Sequence, residues 1–267
     1  MILVKPLSKV SRGCKKEILH DHSSMQHLRV FEEIFRSFPD VVLGVIAFQG
    51  IDNRGENPEI LSMLRHEEAQ TVQRFATIPI NEHPHIAPWR EAYRKFGAKP
   101  KDYPSSIENL ARRVSKGHQL RHINLLVDIY NTISLRHIVP VGGEDIDKME
   151  GDIHLTFAGE NEPPVTLLGE PEARSPKPGE VIYKDDISAI CRRWNWKEAD
   201  RTKFTEQTVH GFLVIEGLPP VGKSLVEQSI DELFHLVRSY CGGELKKGIV
   251  NSANPEMALW SAGFSRH

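Results

Sequence analysis

One short segment, residues 141–147, combines two adjacent glycines with three carboxylates. Glycine lets a ligand approach the backbone closely, so the N–H groups of Gly142 and Gly143 could face an oxyanion. The carboxylates of Glu144 and Asp145 could orient a water molecule, hold an ammonium group or bind a divalent ion. A tight turn between a helix and a strand would use the same residue types, and both interpretations stay open. Metal binding is not expected, because the chain offers no second cluster to complete a coordination shell.

A second segment interleaves arginines with tryptophans and is called the Arg/Trp segment below: Cys191-Arg192-Arg193-Trp194-Asn195-Trp196, followed by Lys197, Arg201, Lys203, Thr205 and Glu206. Guanidinium groups offer forked donors for phosphate or carboxylate, and indole rings offer faces on which a base can stack. An exposed edge strand whose tryptophans pack on the core is the alternative, and the pattern does not separate the two. Cys191 is predicted to be an inert core residue, since no adjacent histidine could activate its thiol.

A third segment, residues 217–224, matches the phosphate-binding pattern G-x-x-x-x-G-K-S between a predicted strand and a predicted helix. Such a loop binds phosphate through consecutive backbone N–H groups, and Pro219 and Pro220 have none. Nucleotide binding is therefore the weaker alternative, and a chance match is the preferred interpretation.

Two predicted helices carry polar residues that could border a site. A helix over about residues 122–136 has a polar stripe that ends at Asn131 and faces either solvent or a pocket. Another helix begins at the capping box of residues 105–108. Its outer face carries Arg112, Arg113 and Lys116. Such a run is usually a solvated helix face, with phosphate contact as the alternative.

The remaining pattern is that of a mixed α and β domain. An apolar run over residues 41–48 predicts a strand buried on both faces, and short strands dominate after Pro140. No internal repeat separates two halves, so residues 30–245 are predicted to form one α/β (α+β) domain. Residues 1–29 are predicted to be a disordered basic extension, and residues 246–267 a tail that packs on the domain or trails from it.

The composition limits the class of protein. The 267 residues, 39% hydrophobic and 26% charged, contain no long apolar run, which argues against a membrane span and a disordered chain. A formal net charge of −2 excludes a diffusely basic nucleic-acid binder, although residues 1–29 carry six basic and two acidic residues. Three widely separated cysteines fit neither a disulfide framework nor a zinc site and indicate a reducing, cytoplasmic location. No cofactor is expected.

From residue 121 onward the sequence resembles a known family. The resemblance is carried by residues 121–131 (RHINLLVDIYN), Pro140, residues 145–151 and the turn at 167–169. These are similar to the B3/B4 domain of the phenylalanyl-tRNA synthetase β subunit, in the free-standing form found as separate proteins. The likeness covers about residues 30–240. In the synthetase this domain hydrolyses tyrosine wrongly attached to the phenylalanine tRNA.

The resemblance implies layered mixed β-sheets flanked by helices, with a pocket where the polar helix meets the β-rich half. Carried over singly, Asn131 matches a pocket asparagine, Pro140 a pocket proline, and Glu216 falls near an acidic substrate-binding residue. Gly142 stands in place of the family's pocket histidine, and the Arg/Trp segment in place of its glycine-rich wall. A different wall implies a different substrate side chain.

Together these features predict a free-standing editing-like protein that binds the 3′ end of an aminoacyl-tRNA, or a related ester, and hydrolyses it with a positioned water. The expected catalytic residues are Gly142, Gly143, Glu144 and Glu206. The expected substrate-binding residues are Asn131, Pro140, Asp145, Arg192, Arg193, Trp194, Asn195, Thr205 and Glu216; the expected RNA contacts are Arg112, Arg113, Lys116, Lys197, Arg201 and Lys203. Affinity for tRNA should be modest and salt-dependent. The alternative is a non-catalytic module that binds an amino acid, a small metabolite or RNA.

Overall fold

The computed structural model describes residues 25–261, in which six helices and twelve strands follow one another along the chain. The helices are α1 (Glu32–Ser37), α2 (Pro58–Arg74), α3 (Ala87–Lys95), α4 (Ser106–Ser115), α5 (Leu125–His137) and α6 (Lys223–Cys241). The strands are β1 (Met25–Val30), β2 (Val42–Gln49), β3 (Val141–Asp145), β4 (Ile153–Phe157), β5 (Val165–Thr166), β6 (Ala173–Arg174), β7 (Val181–Lys184), β8 (Ala189–Arg192), β9 (Lys197–Glu198), β10 (His210–Gly217), β11 (Glu244–Val250) and β12 (Glu256–Ser261). None of these helices is both long and apolar enough to cross a lipid bilayer.

Polar caps fix where three of the helices begin. The side chains of Asn57, Ser105 and Asn124 each accept a backbone N–H from the first turn of the helix that follows. The predicted start of α4 at the capping box of residues 105–108 is therefore confirmed. The predicted helix over residues 122–136 begins later, at Leu125, because Asn124 is its buried cap rather than a member of a polar stripe.

Two sheets form the body of the domain. The six-stranded sheet has the order β12-β1-β4-β7-β8-β9, and the four-stranded sheet has the order β11-β2-β10-β3. In the second sheet, β10 lies between β2 and β3 and pairs antiparallel with both. With α5 and α6 packed on that sheet, the predicted α/β fold of layered mixed sheets flanked by helices is confirmed.

The strand β2 is buried on both faces, as its unbroken apolar run predicts. Its odd-numbered residues, such as Val45, belong to the core between the two sheets, and its even-numbered residues, such as Ile46, pack with α5 and α6. Gly44 allows α6 to approach closely, since a Cβ atom there would lie 2.9 Å from side-chain carbons of Val226 and Ile230. The four-stranded sheet is thus covered on one side by helices and on the other by the second sheet.

The domain extends further at both ends than the sequence patterns predict. Residues 25–29, predicted to belong to the extension, form part of β1, which lies between β12 and β4. Residues 246–261, predicted to be a tail, contribute to β11 and β12, and β11 pairs along its length with β2. Both strands are half polar, so their own residues predict a strand only weakly. The strands with which they pair are distant in sequence, so the pairing is not visible in the local pattern. Residues 1–24 of the extension and 262–267 of the tail lie outside the described residues.

Candidate functional site

A cavity of about 380 Å³ lies where α4 and α5 face β3, β8, β9 and β10, a volume typical of small-molecule sites. This is where α5, which carries Asn131, meets the strands that follow Pro140, as the family resemblance implies. The predicted site residues that line it are Arg113, Asn131, Gly142, Gly143, Glu144, Trp194, Asn195, Lys197 and Glu216.

Glu216, on β10, is held in the cavity wall by hydrogen-bond donors from the six-stranded sheet and from the loop between β8 and β9. Its carboxylate accepts hydrogen bonds from Tyr183 Oη at 2.6 Å and from Asn195 Nδ2 at 2.5 Å. Asn195 Oδ1 in turn accepts a hydrogen bond from Tyr93 Oη at 2.8 Å. Burial raises the pKa of Glu216 to about 7 in spite of its donors, so its charge changes close to neutral pH.

Glu144 and Glu198 place two further carboxylates in the cavity lining. Glu144 is 4% exposed, and its Oε2 atom has no hydrogen-bond partner within the described part of the chain. Burial and the negative charge of Glu198 both raise the pKa of Glu144. Burial likewise raises the pKa of Glu198, against the opposing effect of the Lys203 ammonium. The interior of the cavity is therefore acidic and short of cations.

The loop between β8 and β9 brings Trp194 and Asn195 to the cavity through an uncommon backbone conformation. Arg193 and Trp194 have φ values of 47° and 64°, in the left-handed region that few residues other than glycine adopt. Trp194 is fully buried, with its ring edge-on to those of Phe38 and Trp89. This packing offsets the backbone strain and directs Asn195 toward the carboxylate of β10.

Arg192 and Arg193 do not line the cavity, and the prediction that they bind substrate is corrected. Arg192 is 4% exposed and donates from Nε and Nη2 to the two oxygens of Glu180, at 2.8 and 2.9 Å. The Arg193 guanidinium lies 3.7 Å from the centre of the Tyr103 ring. Burial alone would raise the pKa of Glu180, but the hydrogen bonds and charges of the two arginines more than offset it and lower the pKa. Both guanidinium groups are thus neutralised within the fold.

The basic residues in the cavity lining are Arg113, Arg121 and Lys197. Arg113 and Arg121 are exposed and form no ion pair with any residue that the structure describes. Lys197 is half-buried and bonded to Glu170 at 2.5 Å. The free positive charge of the cavity therefore lies at its exposed rim, on the two arginines.

The other predicted RNA contacts lie outside the lining. Three of them are paired with carboxylates: Arg112 with Glu108 at 2.6 Å, Arg201 with Asp185 at 2.9 Å and Lys203 with Asp200 at 2.6 Å. Lys116, the residue that follows α4, is exposed and does not line the cavity. Of the predicted RNA contacts, Arg113 and Lys197 line the cavity, and Arg121 lines it as well.

Four more predicted site residues have their hydrogen bonds elsewhere in the fold. The Glu206 carboxylate accepts a hydrogen bond from the Gly55 N–H at 3.2 Å, and the Asp145 carboxylate accepts one from Thr208 Oγ1 at 2.7 Å. The Thr205 carbonyl accepts one from Asn53 Nδ2 at 2.8 Å, and the Pro140 carbonyl accepts one from the Glu216 N–H at 3.1 Å. None of the four acceptors lines the cavity. The catalytic role predicted for Glu206 and the substrate contacts predicted for the other three are corrected on this ground.

Only one of the two glycine N–H groups is available to a ligand. Gly142 lies opposite Val214 in the antiparallel pairing of β3 with β10. Because the Glu216 N–H donates to the Pro140 carbonyl, the alternation of the ladder turns the Gly142 N–H toward β10. The Gly143 N–H then faces the free edge of β3. Gly143 is the candidate oxyanion donor, and the prediction for Gly142 is corrected.

Three consecutive residues of the loop 217–224 cannot offer an N–H group to a phosphate. Pro219 and Pro220 have no N–H, and the Val221 N–H is donated to the Leu218 carbonyl at 2.9 Å. This geometry disfavours nucleotide binding.

Glu198, Tyr183 and Arg121 line the cavity but are not found as site residues by sequence reasoning. Tyr183 lies on a predicted strand, where the two-residue alternation with buried Val181 could have indicated an inward side chain. Glu198 lies on a two-residue strand and Arg121 in a segment without regular structure, so no local pattern marks them. Cys191 also lines the cavity, and burial raises the pKa of its thiol well above the usual range.

Two comparisons with known proteins agree. The B3/4 domain family matches residues 88–242, more than half of the chain. A phenylalanine–tRNA ligase beta subunit of Fusobacterium nucleatum subsp. nucleatum is 39% identical over 72 residues. That match spans 27% of this chain and 9% of the ligase subunit, so only a small part of that subunit is represented.

Replacing Gly143 by alanine should destabilise the protein, whereas replacing Gly142 should not. A Cβ atom at Gly143 would lie 2.1 Å from the Phe212 carbonyl oxygen, whereas one at Gly142 has no atom within 4 Å. We expect Gly143→Ala to lower the free energy of unfolding by about 1–3 kcal/mol, because β3 must move away from β10. Gly142→Ala should change it by less than about 0.5 kcal/mol. Chemical denaturation measures both, and equal stability of the two variants would contradict the close approach.

Replacing Glu216 by glutamine should remove part of the pH dependence of stability. The pKa of Glu216 is about 7 in the folded chain and near 4.5 when unfolded, so between these values only the folded state keeps the proton. Stability that is fully present below the lower pKa is therefore lost as the pH rises through 7. From pH 4.5 to 8, the free energy of unfolding should fall by roughly 3 kcal/mol more in the wild type than in Glu216→Gln. Denaturation curves at a series of pH values test this, and parallel pH profiles would refute it.

Proposed function

The chain belongs to the B3/4 domain family, and on that premise we propose that its cavity binds an aminoacyl ester, such as the charged 3′ end of a tRNA, and hydrolyses it. The observation that carries the proposal is the distribution of charge. Glu144, Glu198 and Glu216 lie inside the cavity, and the unpaired guanidinium groups of Arg113 and Arg121 lie at its exposed rim. A charged tRNA end has an ammonium group on the aminoacyl part and phosphates along the strand, so its charges are complementary.

Hydrolysis of the ester requires an attacking water molecule and a group that accepts its proton, which we assign to Glu216. The Tyr183 and Asn195 donors hold this carboxylate in one orientation, and its pKa near 7 suits proton uptake at neutral pH. The water oxygen attacks the ester carbonyl carbon while a proton passes to the carboxylate. The tetrahedral intermediate then breaks the ester bond, and the proton moves to the ribose oxygen that leaves.

Negative charge that develops on the carbonyl oxygen needs a donor, and the Gly143 N–H at the free edge of β3 supplies it in this proposal. No side-chain nucleophile is required, which agrees with a Cys191 thiol that is neutral at physiological pH. Asn131, at the middle of α5, contributes an amide to the same lining for binding the substrate. Similarity to a phenylalanine–tRNA ligase beta subunit favours tRNA as the carrier of the ester.

A non-catalytic module that binds a free amino acid is the second candidate. It is favoured by Gly142, which stands where the resemblance places a histidine in the family's pocket. The two candidates differ in a thermal-shift experiment: a binding module should be stabilised saturably by a free amino acid and should leave every aminoacyl-tRNA intact.

Glu216→Gln should lower kcat for deacylation by about 10²–10⁴-fold, because the proton acceptor is lost. The assay measures the decay of a panel of mischarged tRNAs with the wild type and the variant. Glu206→Gln is the matched control, since Glu206 is exposed and outside the cavity lining. If the wild type hydrolyses none of the panel, the enzymatic function is wrong; if Glu216→Gln retains full kcat, only the assignment of the base is wrong.

Arg113→Ala should weaken tRNA binding more than Lys116→Ala. Arg113 lies on α4, and Lys116 follows its last residue. Both are exposed and form no ion pair within the described part of the chain, but only Arg113 lines the cavity. We expect the slope of log Kd against log salt concentration to fall by about 0.7–1 for Arg113→Ala, as for one lost phosphate contact. Fluorescence anisotropy titrations at several salt concentrations measure this slope. The same slope for both variants would count against tRNA binding at the rim.

A further inference from the structure

The carboxylates of Glu144 and Glu198 belong to the acidic interior of the cavity, but neither takes part in a bond-making or proton-transfer step of the hydrolysis described above. Glu144 lies on β3 of the four-stranded sheet, Glu198 lies on β9 of the six-stranded sheet, and both line the cavity. The packing of the two sheets therefore brings two like charges toward one another, and the charge of Glu198 disfavours ionisation of Glu144. Such an arrangement is costly unless a cation compensates it.

The cations of the described chain compensate these two carboxylates only in part. Arg201, whose charge acts on Glu144, and Lys203, whose charge acts on Glu198, are each bonded to an aspartate, at 2.9 and 2.6 Å. Within residues 25–261, Glu144 Oε2 has no hydrogen-bond partner of good geometry, although the residue is more than nine-tenths buried. The neutral Thr202 hydroxyl lowers the pKa of Glu144 and is likewise buried without another partner, so it leaves the charge of this carboxylate uncompensated. An unpartnered carboxylate oxygen in the wall of a cavity indicates where a donor of the ligand binds.

We propose that Glu144 and Glu198 bind the primary ammonium group of the ligand, so that the cavity accepts amino acid derivatives with a free amine and rejects N-acylated ones. The proposal rests on the proposed function, because the α-ammonium is the cation that every aminoacyl ester carries. An ammonium group has enough N–H donors to bond both carboxylates at once. An N-acyl group removes the charge, leaves a single N–H and adds bulk.

A divalent cation fits this pair less well. Among the residues that the structure describes, no three His, Cys, Asp or Glu side chains are grouped so that they could hold a metal ion. Divalent cations such as Ca²⁺ and Mg²⁺ take about six or more oxygen ligands, whereas an ammonium group is satisfied by two or three acceptors. The two carboxylates therefore match an amine better than a metal.

The test compares L-amino acid amides with the matching N-acetylated amides, because amides resist the hydrolysis that would consume an ester probe. Binding to the full-length protein is measured by isothermal titration calorimetry. The free-amine amide of at least one amino acid should bind at least tenfold more tightly than its N-acetylated form. Glu144→Gln and Glu198→Gln should each abolish this preference, and Glu206→Gln, outside the cavity, should keep it. Glu198 lies half-buried on a short strand at the sheet edge, so Glu198→Gln keeps the test decisive if Glu144→Gln fails to fold.

Three results would overturn the ammonium site: equal binding of free and acetylated amides, no binding of any free-amine amide, or an unchanged preference in Glu198→Gln. Competition by Mg²⁺ that disappears in Glu198→Gln would assign the pair to a metal instead, and would also overturn it. Failure of the proposed function is distinct from all of these. A wild type that prefers free amines but hydrolyses no aminoacyl-tRNA supports the ammonium site and refutes the proposed hydrolase function. A wild type that hydrolyses aminoacyl-tRNA without preferring free amines supports the hydrolase function and refutes the ammonium site.

Discussion

The hydrogen bonds to the buried carboxylate of Glu216 are the interaction on which the rest of the site depends. Through Tyr183 they join β10 of one sheet to β7 of the other, and through Asn195 they join β10 to the loop between β8 and β9. Burying a carboxylate costs free energy that hydrogen-bond donors offset, so this group fixes how the two sheets meet at the cavity. The left-handed turn at Trp194 follows from the same requirement, because it delivers the Asn195 amide to that carboxylate.

Charged groups in this protein fall into two classes according to their partners. The arginines of the Arg/Trp segment are buried with Glu180, and a buried pair of this kind holds structure together because removing one partner leaves a charge uncompensated. The carboxylates of the cavity have no such cations, and their raised pKa values are typical of groups that act on a ligand. A chain with a formal net charge of −2 thus has an acidic cavity with a basic rim.

Part of the candidate site can be predicted from the sequence, and the reason differs from residue to residue. Glu144 stands in a compact motif with adjacent glycines, and Asn131 and Glu216 stand where the family resemblance places pocket residues; all three line the cavity. The predictions for Arg192 and Glu206 fail because the sequence shows a donor or acceptor without its partner. The sequence of an arginine next to tryptophans is the same whether its guanidinium group binds a phosphate or a buried glutamate.

By itself the sequence determined the start of α4, the doubly buried strand β2, the layered α/β fold and the family. Caps and apolar periodicity act over a few neighbouring positions, so they can be read without knowing the rest of the chain. Only the tertiary structure decided which charges are paired, that Glu198 lies in the same cavity as Glu144, and that β1 and β12 complete a sheet. Those outcomes depend on contacts between segments far apart in sequence. Their free energies are set by burial and by the distance between charges, and neither quantity exists until the sheets have packed.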